Sequence, residues 1–301
     1  MAKTDGSTVV LREPLPDNRT WRDGTLGTVI CQFTRNKTAL VGLIIILALV
    51  LMAIFAPLLA PYDYAVIDPI NANQSPSAEH WFGTDAYGRD ILSRIIYGAR
   101  YSLSLGVLAS LFGTCVGVIF SAIAGYCGGQ VENLILRICD IIQSIPNTLL
   151  CIVVSVTLGN GFLPTIIALS LYSIPEVVRI LRANLLNLRE QEFVEACRAI
   201  NCSNLRILVS HLLPNSLSPL IVSFSLGIGM KIMSSAGLSF LGLGIQEPIA
   251  EWGAMIAGGR AQLRYAPHVL IFPGIFVALT VMAFNIVGDG MRDALDPKLR
   301  R

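Results

Sequence analysis

Five charged side chains stand in apolar stretches, where charge is costly. Arg137 and Asp140 are spaced i, i+3, as are Glu176 and Arg179, and Lys231 stands alone in a third stretch. Charges within a bilayer usually face protein or water, and each i, i+3 pair can partly neutralise itself on its own helix. Lys231 has no acid nearby on its own helix, which makes it a candidate for a polar pathway or a subunit interface. No catalytic constellation accompanies these charges. GIGMK at Gly227–Lys231 is the nearest approach to a phosphate-cradling loop, but it lacks the spacing and the Ser or Thr that would hold Mg²⁺. HExxH and GxSxG are absent, and His80, His211 and His268 fall on separate segments. The chemistry to expect is charge placement rather than bond making: no catalytic residue, no metal and no cofactor.

The elements that would position these charges are membrane spans. Of 301 residues, 53% are hydrophobic and only 14% charged, and the mean hydropathy is +0.64. Soluble domains carry about a quarter charged residues. A span needs roughly 20 mostly apolar residues, and six stretches meet or approach that length: 39–60, 102–126, 134–158, 163–181, 216–243 and 269–287. The fold class expected is therefore an all-α polytopic membrane protein with six transmembrane helices. The first stretch follows almost forty mostly polar residues, too many for the short basic head of a signal peptide. It reads as an uncleaved span after a segment 1–38.

Lys and Arg in the connections set the orientation. Fourteen fall on one side (Lys3, Arg12, Arg19, Arg22, Arg35, Lys37, Arg182, Arg189, Arg198, Arg206, Arg292, Lys298, Arg300, Arg301), and five on the other (Arg89, Arg94, Arg100, Arg260, Arg264). Both termini and the 188–214 connection are then cytoplasmic, while 61–101 and 244–268 are outer loops. None of the seven Cys lies in an outer loop and no CxxC occurs, so neither a disulfide nor a metal site is expected. A net charge of +2 gives no support for nucleic-acid binding.

The 188–214 connection is far longer than the usual 4–6 residues. Phe193, Ala196, Cys197 and Ile200 are spaced as one helical face, with Glu192 and Glu195 early and Arg198 late, as the helix dipole favours. After a break at Asn201-Cys202, Ser203 can cap a second short helix that buries Leu205, Leu208 and Leu212 and stops at Pro214. The segment reads as a helix–turn–helix hook under the membrane, protruding to dock something.

In the first outer loop, Thr84 or Asp85 can cap a helix from about Tyr87, whose stripe of Ile91, Leu92, Ile95 and Ile96 suits a helix lying on the membrane surface before the second span. In the second, Trp252 suits an interfacial position. The Gly-rich run GLSFLGLG (Gly237–Gly244) lets helices approach closely, with packing between subunits as the default reading.

Glu195-Ala196-Cys197, the turn at Asn201 and Leu213-Pro214-Asn215 resemble the EAA loop of ABC-importer permeases, written E-A-A-x-x-x-G followed by I-x-L-P. Cys197 stands where that pattern has its second Ala, and Asn201 where it has Gly, a change that keeps a left-handed turn available. HWFGTDAYGRDILSRIIYGARYSL (His80–Leu103), SSAGLSFLGLGIQEPIAEWGAMI (Ser234–Ile256) and FNIVGDGMRDALDPKLRR (Phe284–Arg301) look like the C-type permeases of the dipeptide, oligopeptide and nickel importers. With the hook, the likeness runs from about Asn36 to the C-terminus.

The resemblance implies a type I ABC importer permease fold, one half of a pore in a bacterial or archaeal cytoplasmic membrane. It implies a homologous B-type permease, two ATP-binding subunits and an extracytoplasmic solute-binding protein as partners, with the lipid bilayer around them. Glu195, Ala196, Cys197, Asn201, Leu213 and Pro214 would couple to the ATPases, and Glu251 and Trp252 would form a rim meeting the binding protein. Dipeptides or short oligopeptides are the leading substrates, with glutathione or nickel as alternatives. An ion-driven secondary transporter is the rival, but no internal repeat of the kind such folds carry is visible. A membrane-embedded enzyme lacks its catalytic groups.

Overall fold

The computed structural model describes residues 25–295, which are helical or irregular; the only strand-like pairing among them is a single bridge between Thr84 and Asp90. The charges counted at Lys3, Arg12, Arg19, Arg22, Lys298, Arg300 and Arg301 lie outside these residues.

The polar lead-in contains a helix that its sequence does not advertise, α1 (Thr25–Arg35). Asn36 breaks it and caps α2 (Lys37–Ile54), accepting from the amides of Thr38 at 3.1 Å and Ala39 at 3.2 Å. Val29 and Phe33 of α1 pack with Ala39 and Ala294. After the short α3 (Ala56–Leu59) the chain forms an irregular outer loop. Arg100 reaches back from the next helix, its Nε donating to the Ala53 carbonyl at 2.8 Å. A cation thus satisfies one of the orphan carbonyls at the end of α2.

The cap expected at Thr84 or Asp85 is instead Asp90, whose Oδ2 accepts from the Ser93 amide and hydroxyl, both at 2.7 Å. Thr84 and Asp85 close the loop before it, Asp85 Oδ1 accepting from the Tyr87 amide at 2.8 Å. The helix that follows, α4 (Ile91–Cys127), has 37 residues. At 1.5 Å per residue it is about 55 Å long, nearly twice the hydrocarbon thickness. The separate surface helix therefore does not exist: it is the outer end of the second span. Ile91, Ile95 and Ile96 are buried against protein rather than laid on lipid.

The third stretch is also not one straight span. α5 (Gly129–Ser144) and α6 (Asn147–Leu158) meet at 92°. Pro146 explains the corner, since it pushes Ile145 into an extended conformation, observed at φ −91°, ψ 129°. α7 (Phe162–Leu171) and α8 (Ser173–Arg189) together make the fourth span. Pro175 falls in the first turn of α8, where an amide would have no helical partner. Among the described residues, five helices are long and apolar enough to cross a bilayer, or six when the bent α5–α6 pair counts as one.

The hook begins with α9 (Glu192–Ala199) and α10 (Asn204–Ile207). A π-helical turn (Leu208–Leu212) and α11 (Leu213–Asn215) then lead almost directly into α12 (Leu217–Phe240). Pro214 does not end the segment as expected. It sits at the start of α11, just past the π turn, where its missing amide is tolerated. α13 (Trp252–Gly259) lies in the second outer loop, and α14 (His268–Leu295) closes the bundle.

α12, α14, α2 and α4 share a core of Leu49, Ile95, Leu103, Ile232 and Phe284. A second core holds α6 and α7 against α4 and α12 through Leu105, Cys151, Leu169 and Leu238. A third, at the hook end, joins α8 to the hook. Leu43, Ile44, Leu47 and Leu51 of α2 remain exposed, as a lipid-facing surface requires.

Candidate functional site

Val194 fixes the hook. It is fully buried, packed among Leu181 and Leu185 of α8 and Ile207, Leu208 and Leu212 of the returning segment. Burying one Val is worth about 1.5–3 kcal/mol. Cys197 and Cys202 are half-buried against the same cluster. The apolar face read from the sequence is the outward one: Phe193 is 38% exposed and Ile200 75%, and Ala196 and Glu195 also face outward. Leu205 likewise points out, with Ile207 buried in its place. An amphipathic helix with apolar residues on two faces leaves the choice of inner face to whatever packs beneath it.

The turn after α9 is a Schellman motif. Asn201 has φ +59°, its amide donates to the Arg198 carbonyl at 2.9 Å, and the Cys202 amide donates to the Cys197 carbonyl at 3.0 Å. These two bonds satisfy carbonyls that a helix end otherwise leaves open. Ser203 Oγ then accepts from the Arg206 amide at 3.4 Å, capping α10 as its residue type indicated. A left-handed conformation costs an L-residue roughly 1–2 kcal/mol per residue, which Asn offsets better than most and Gly avoids. Asn201→Gly should therefore leave thermal stability and hook geometry intact. Asn201→Val should loosen the turn by about 1 kcal/mol, read as faster hydrogen exchange at the Cys202 amide. Leu213 is half-buried against the hook core and Pro214 is exposed.

Lys231 lines a cavity of about 800 Å³ between α4, α8 and α12, with Ser110, Thr114, Glu176 and Asn184 among the other polar walls. A methyl group added at Gly227 would lie 3.4 Å from Lys231 Nζ and 3.6 Å from Ser110 Oγ, so the ammonium and that hydroxyl both flank Gly227. Neither Lys231 nor Glu176 has an ion-pair partner within 4 Å among the described residues. The i, i+3 pairs expected along single helices are replaced by pairs between helices. Arg179 Nη2 meets Asp140 Oδ1 at 2.6 Å, and Arg182 Nε meets Glu132 Oε1 at 2.6 Å. The corner at Pro146 brings α5 beside α8, and the charges find each other across that contact.

The rim expected at Glu251 and Trp252 is interior. Glu251 is 1% exposed and Trp252 fully buried. Glu251 Oε2 accepts from the Ala254 amide at 2.8 Å and the Ser239 hydroxyl at 3.1 Å, while Trp252 Nε1 donates to the Ile95 carbonyl at 3.0 Å. Burial pushes the Glu251 carboxyl above the usual range, against the opposing pull of the Ala254 and Gly253 amides and the Ser239 and Ser102 hydroxyls. Both residues clamp α13 onto α4 and α12. The second outer loop is tied to the first by Arg89, whose Nε meets Asp85 Oδ2 at 2.7 Å and whose Nη2 meets Glu247 Oε1 at 2.8 Å. Arg94, fully buried, stands 3.6 Å from the same two acids. The sequence hinted at this network only through the density of charge in Asp85–Arg94.

Residues 117–301 match the model of the binding-protein-dependent transport system inner membrane component, and residues 25–76 match that of the N-terminal TM domain of oligopeptide transport permease C. The dipeptide transport system permease protein DppC of Alkalihalophilus pseudofirmus is 47% identical over 273 residues, covering 89% of this chain and 88% of that protein. The glutathione transport system permease protein GsiD of Escherichia coli is 46% identical over 270 residues, 89% of each. Among solved structures, an inward-facing MetNI methionine ABC transporter chain aligns with a TM-score of 0.54 at 20% identity, over 68% of this chain and 98% of its own. A chain of an amino acid ABC transporter with histidines aligns with a TM-score of 0.54 at 15% identity, over 67% of this chain and 94% of its own. The bent third span, the hook and the bundle around the cavity are thus an ABC importer permease fold, and the chain belongs to the binding-protein-dependent transport system inner membrane components, as a multi-pass permease of the C type.

Proposed function

We propose that this permease forms half of the pore of an ATP-driven importer of dipeptides or short oligopeptides, and that its hook receives the force of the ATPases. The hook end faces the cytoplasm in this reading, with the 61–90 loop outside. A sister permease of the B type completes the pore, two ATP-binding subunits dock below, and a binding protein delivers solute from outside. The chain itself carries out no catalysis.

The observation that carries this reading is the mounting of α9. Val194 anchors it from behind while Phe193, Glu195 and Ile200 project outward, so a push on the outer face moves α8 and the bundle rather than a loose loop. Peptide cargo is favoured by the two relatives of nearly equal likeness, which are named for dipeptide transport and glutathione transport. Glutathione is the second reading on the same ground.

Co-purification in detergent tests the assignment. The wild-type chain should bring down an ATPase and a sister permease, and Glu195→Lys should weaken capture of the ATPase by about tenfold, as expected for reversing one interfacial charge. A chain that transports fully while isolated alone would overturn the reading in favour of an ion-driven carrier.

A further inference from the structure

The cavity between α4, α8 and α12 holds charges of both signs, Lys231 and Glu176, neither with an ion-pair partner among the described residues. Lys231 is near the middle of α12, and Glu176 is near the middle of the span formed by α7 and α8. Both line the same space. Intramembrane charge without a partner is costly enough to mark a functional position. An ammonium that only stabilised the fold would be expected to sit on a carboxylate, as Arg179 sits on Asp140 and Arg182 on Glu132. Lys231 Nζ instead lies near Gly227, which Ser110, a buried hydroxyl with no hydrogen-bond partner among the described residues, also approaches. A carboxylate arriving there would find one ammonium and one free hydroxyl donor. Glu176, exposed to the cavity, offers an acceptor for an ammonium at the other end of the same solute.

We propose that Lys231, with Ser110 beside it and Glu176 on the facing wall, forms a mid-membrane subsite that takes the carboxylate and ammonium ends of a zwitterionic peptide in transit. The proposal rests on the reading of the chain as a peptide importer's permease. The volume fits: about 800 Å³ lies within the range of small-ligand sites and leaves room for side chains of any kind. Reading only the termini suits a pathway whose solute has already been selected by the binding protein. One charge contact at each end keeps the hold weak enough for release, as conduction requires.

Uptake by the complete importer in proteoliposomes tests this. The solutes are a zwitterionic dipeptide, its C-terminal amide and its N-acetyl derivative, each presented at saturation of the binding protein. Lys231→Ala should slow the zwitterion about tenfold, as for loss of one charge-assisted hydrogen bond, while leaving uptake of the amide unchanged. Lys231→Arg should retain uptake. Glu176→Gln should slow the zwitterion but not the N-acetyl peptide. Lys231→Ala uptake equal to wild type, or an equal loss for zwitterion and amide, would overturn the subsite. So would loss of the sister permease on purification, which would make Lys231 an interface cation. If the wild-type complex carries no peptide at all, the peptide-importer reading falls first; if it does and Lys231→Ala is indifferent, only the subsite falls.

Discussion

Val194→Asp should abolish ATP-driven uptake, by at least a hundredfold, while the chain still inserts and pairs with its sister permease. Val194 is fully buried among Leu181, Leu185, Ile207, Leu208 and Leu212. The side chains packed around position 194 are apolar, so an aspartate there would be buried without a partner; to reach Arg182, Arg189 or Arg198, which line the small cavity beside Val194, it must first leave that cluster. Leaving a buried charge uncompensated costs on the order of 3–5 kcal/mol, more than the burial of Val contributes. The cheapest relief is for α9 to swing off α8, because the spans above it are held by separate cores. Every 1.4 kcal/mol is tenfold in population, so a docked hook would become a rare state.

The readout is specific because the hook carries its own reporters. Cys197 and Cys202 are half-buried against the same cluster. With the exposed Cys31, Cys115 and Cys127 replaced by serine and Cys139 and Cys151 buried, maleimide labelling of Cys197 and Cys202 should rise sharply in Val194→Asp. Val194→Ala leaves a cavity rather than a charge and should cost about 2 kcal/mol, with intermediate labelling and uptake. Uptake by Val194→Asp within twofold of wild type would show that no force passes through α9.

What was legible in the sequence was whatever depends on neighbours in the chain. The apolar stretches located the spans because burial in lipid needs only length and composition. The turn at Asn201 and the cap at Ser203 were readable because the residue types act on amides one to five positions away. What failed depended on distant partners. Glu251 and Trp252 read as an exposed rim, yet they bond to Ser239, Ser102 and Ile95 on other helices, up to 157 positions away. Asp140 read as a partner for Arg137, yet it meets Arg179, 39 positions on. Val194 does not stand out in the sequence because Phe193, Ala196 and Ile200 give an equally good apolar period, and only the presence of α8 decides between the two faces. Pro214 read as a terminator because a π turn leaves no mark in residue types.

Glycine shows the same division, and it supports the second large effect: Gly117→Leu should prevent assembly of a functional permease. The sequence draws the eye to Gly237–Gly244, yet a side chain at Gly237 would meet nothing within 4 Å of this chain. The close crossing lies instead between α4 and α8. A Cβ at Gly117 would stand 2.6 Å from Val177 Cβ and 3.1 Å from the Ile174 carbonyl, and Gly113, one turn earlier, faces Ser173 of α8 and Ser170 at the end of α7. Small residues four apart let helices approach in a bilayer. Leu at 117 must push α8 away, and overpacking typically costs about 1–3 kcal/mol where the backbone can yield. Here α8 carries Glu176 on the cavity and Leu181 and Leu185 under Val194, so its displacement would open the pathway wall and unseat the hook together. Gly117→Leu should therefore reduce folded protein recovered in detergent several-fold and remove uptake from what remains, with Gly117→Ala intermediate. Gly237→Leu is the contrast: it should leave the recovery of this chain unchanged, and any loss it causes should fall on capture of the sister permease. Normal recovery and uptake by Gly117→Leu would mean that α4 and α8 do not meet at this crossing in the working importer.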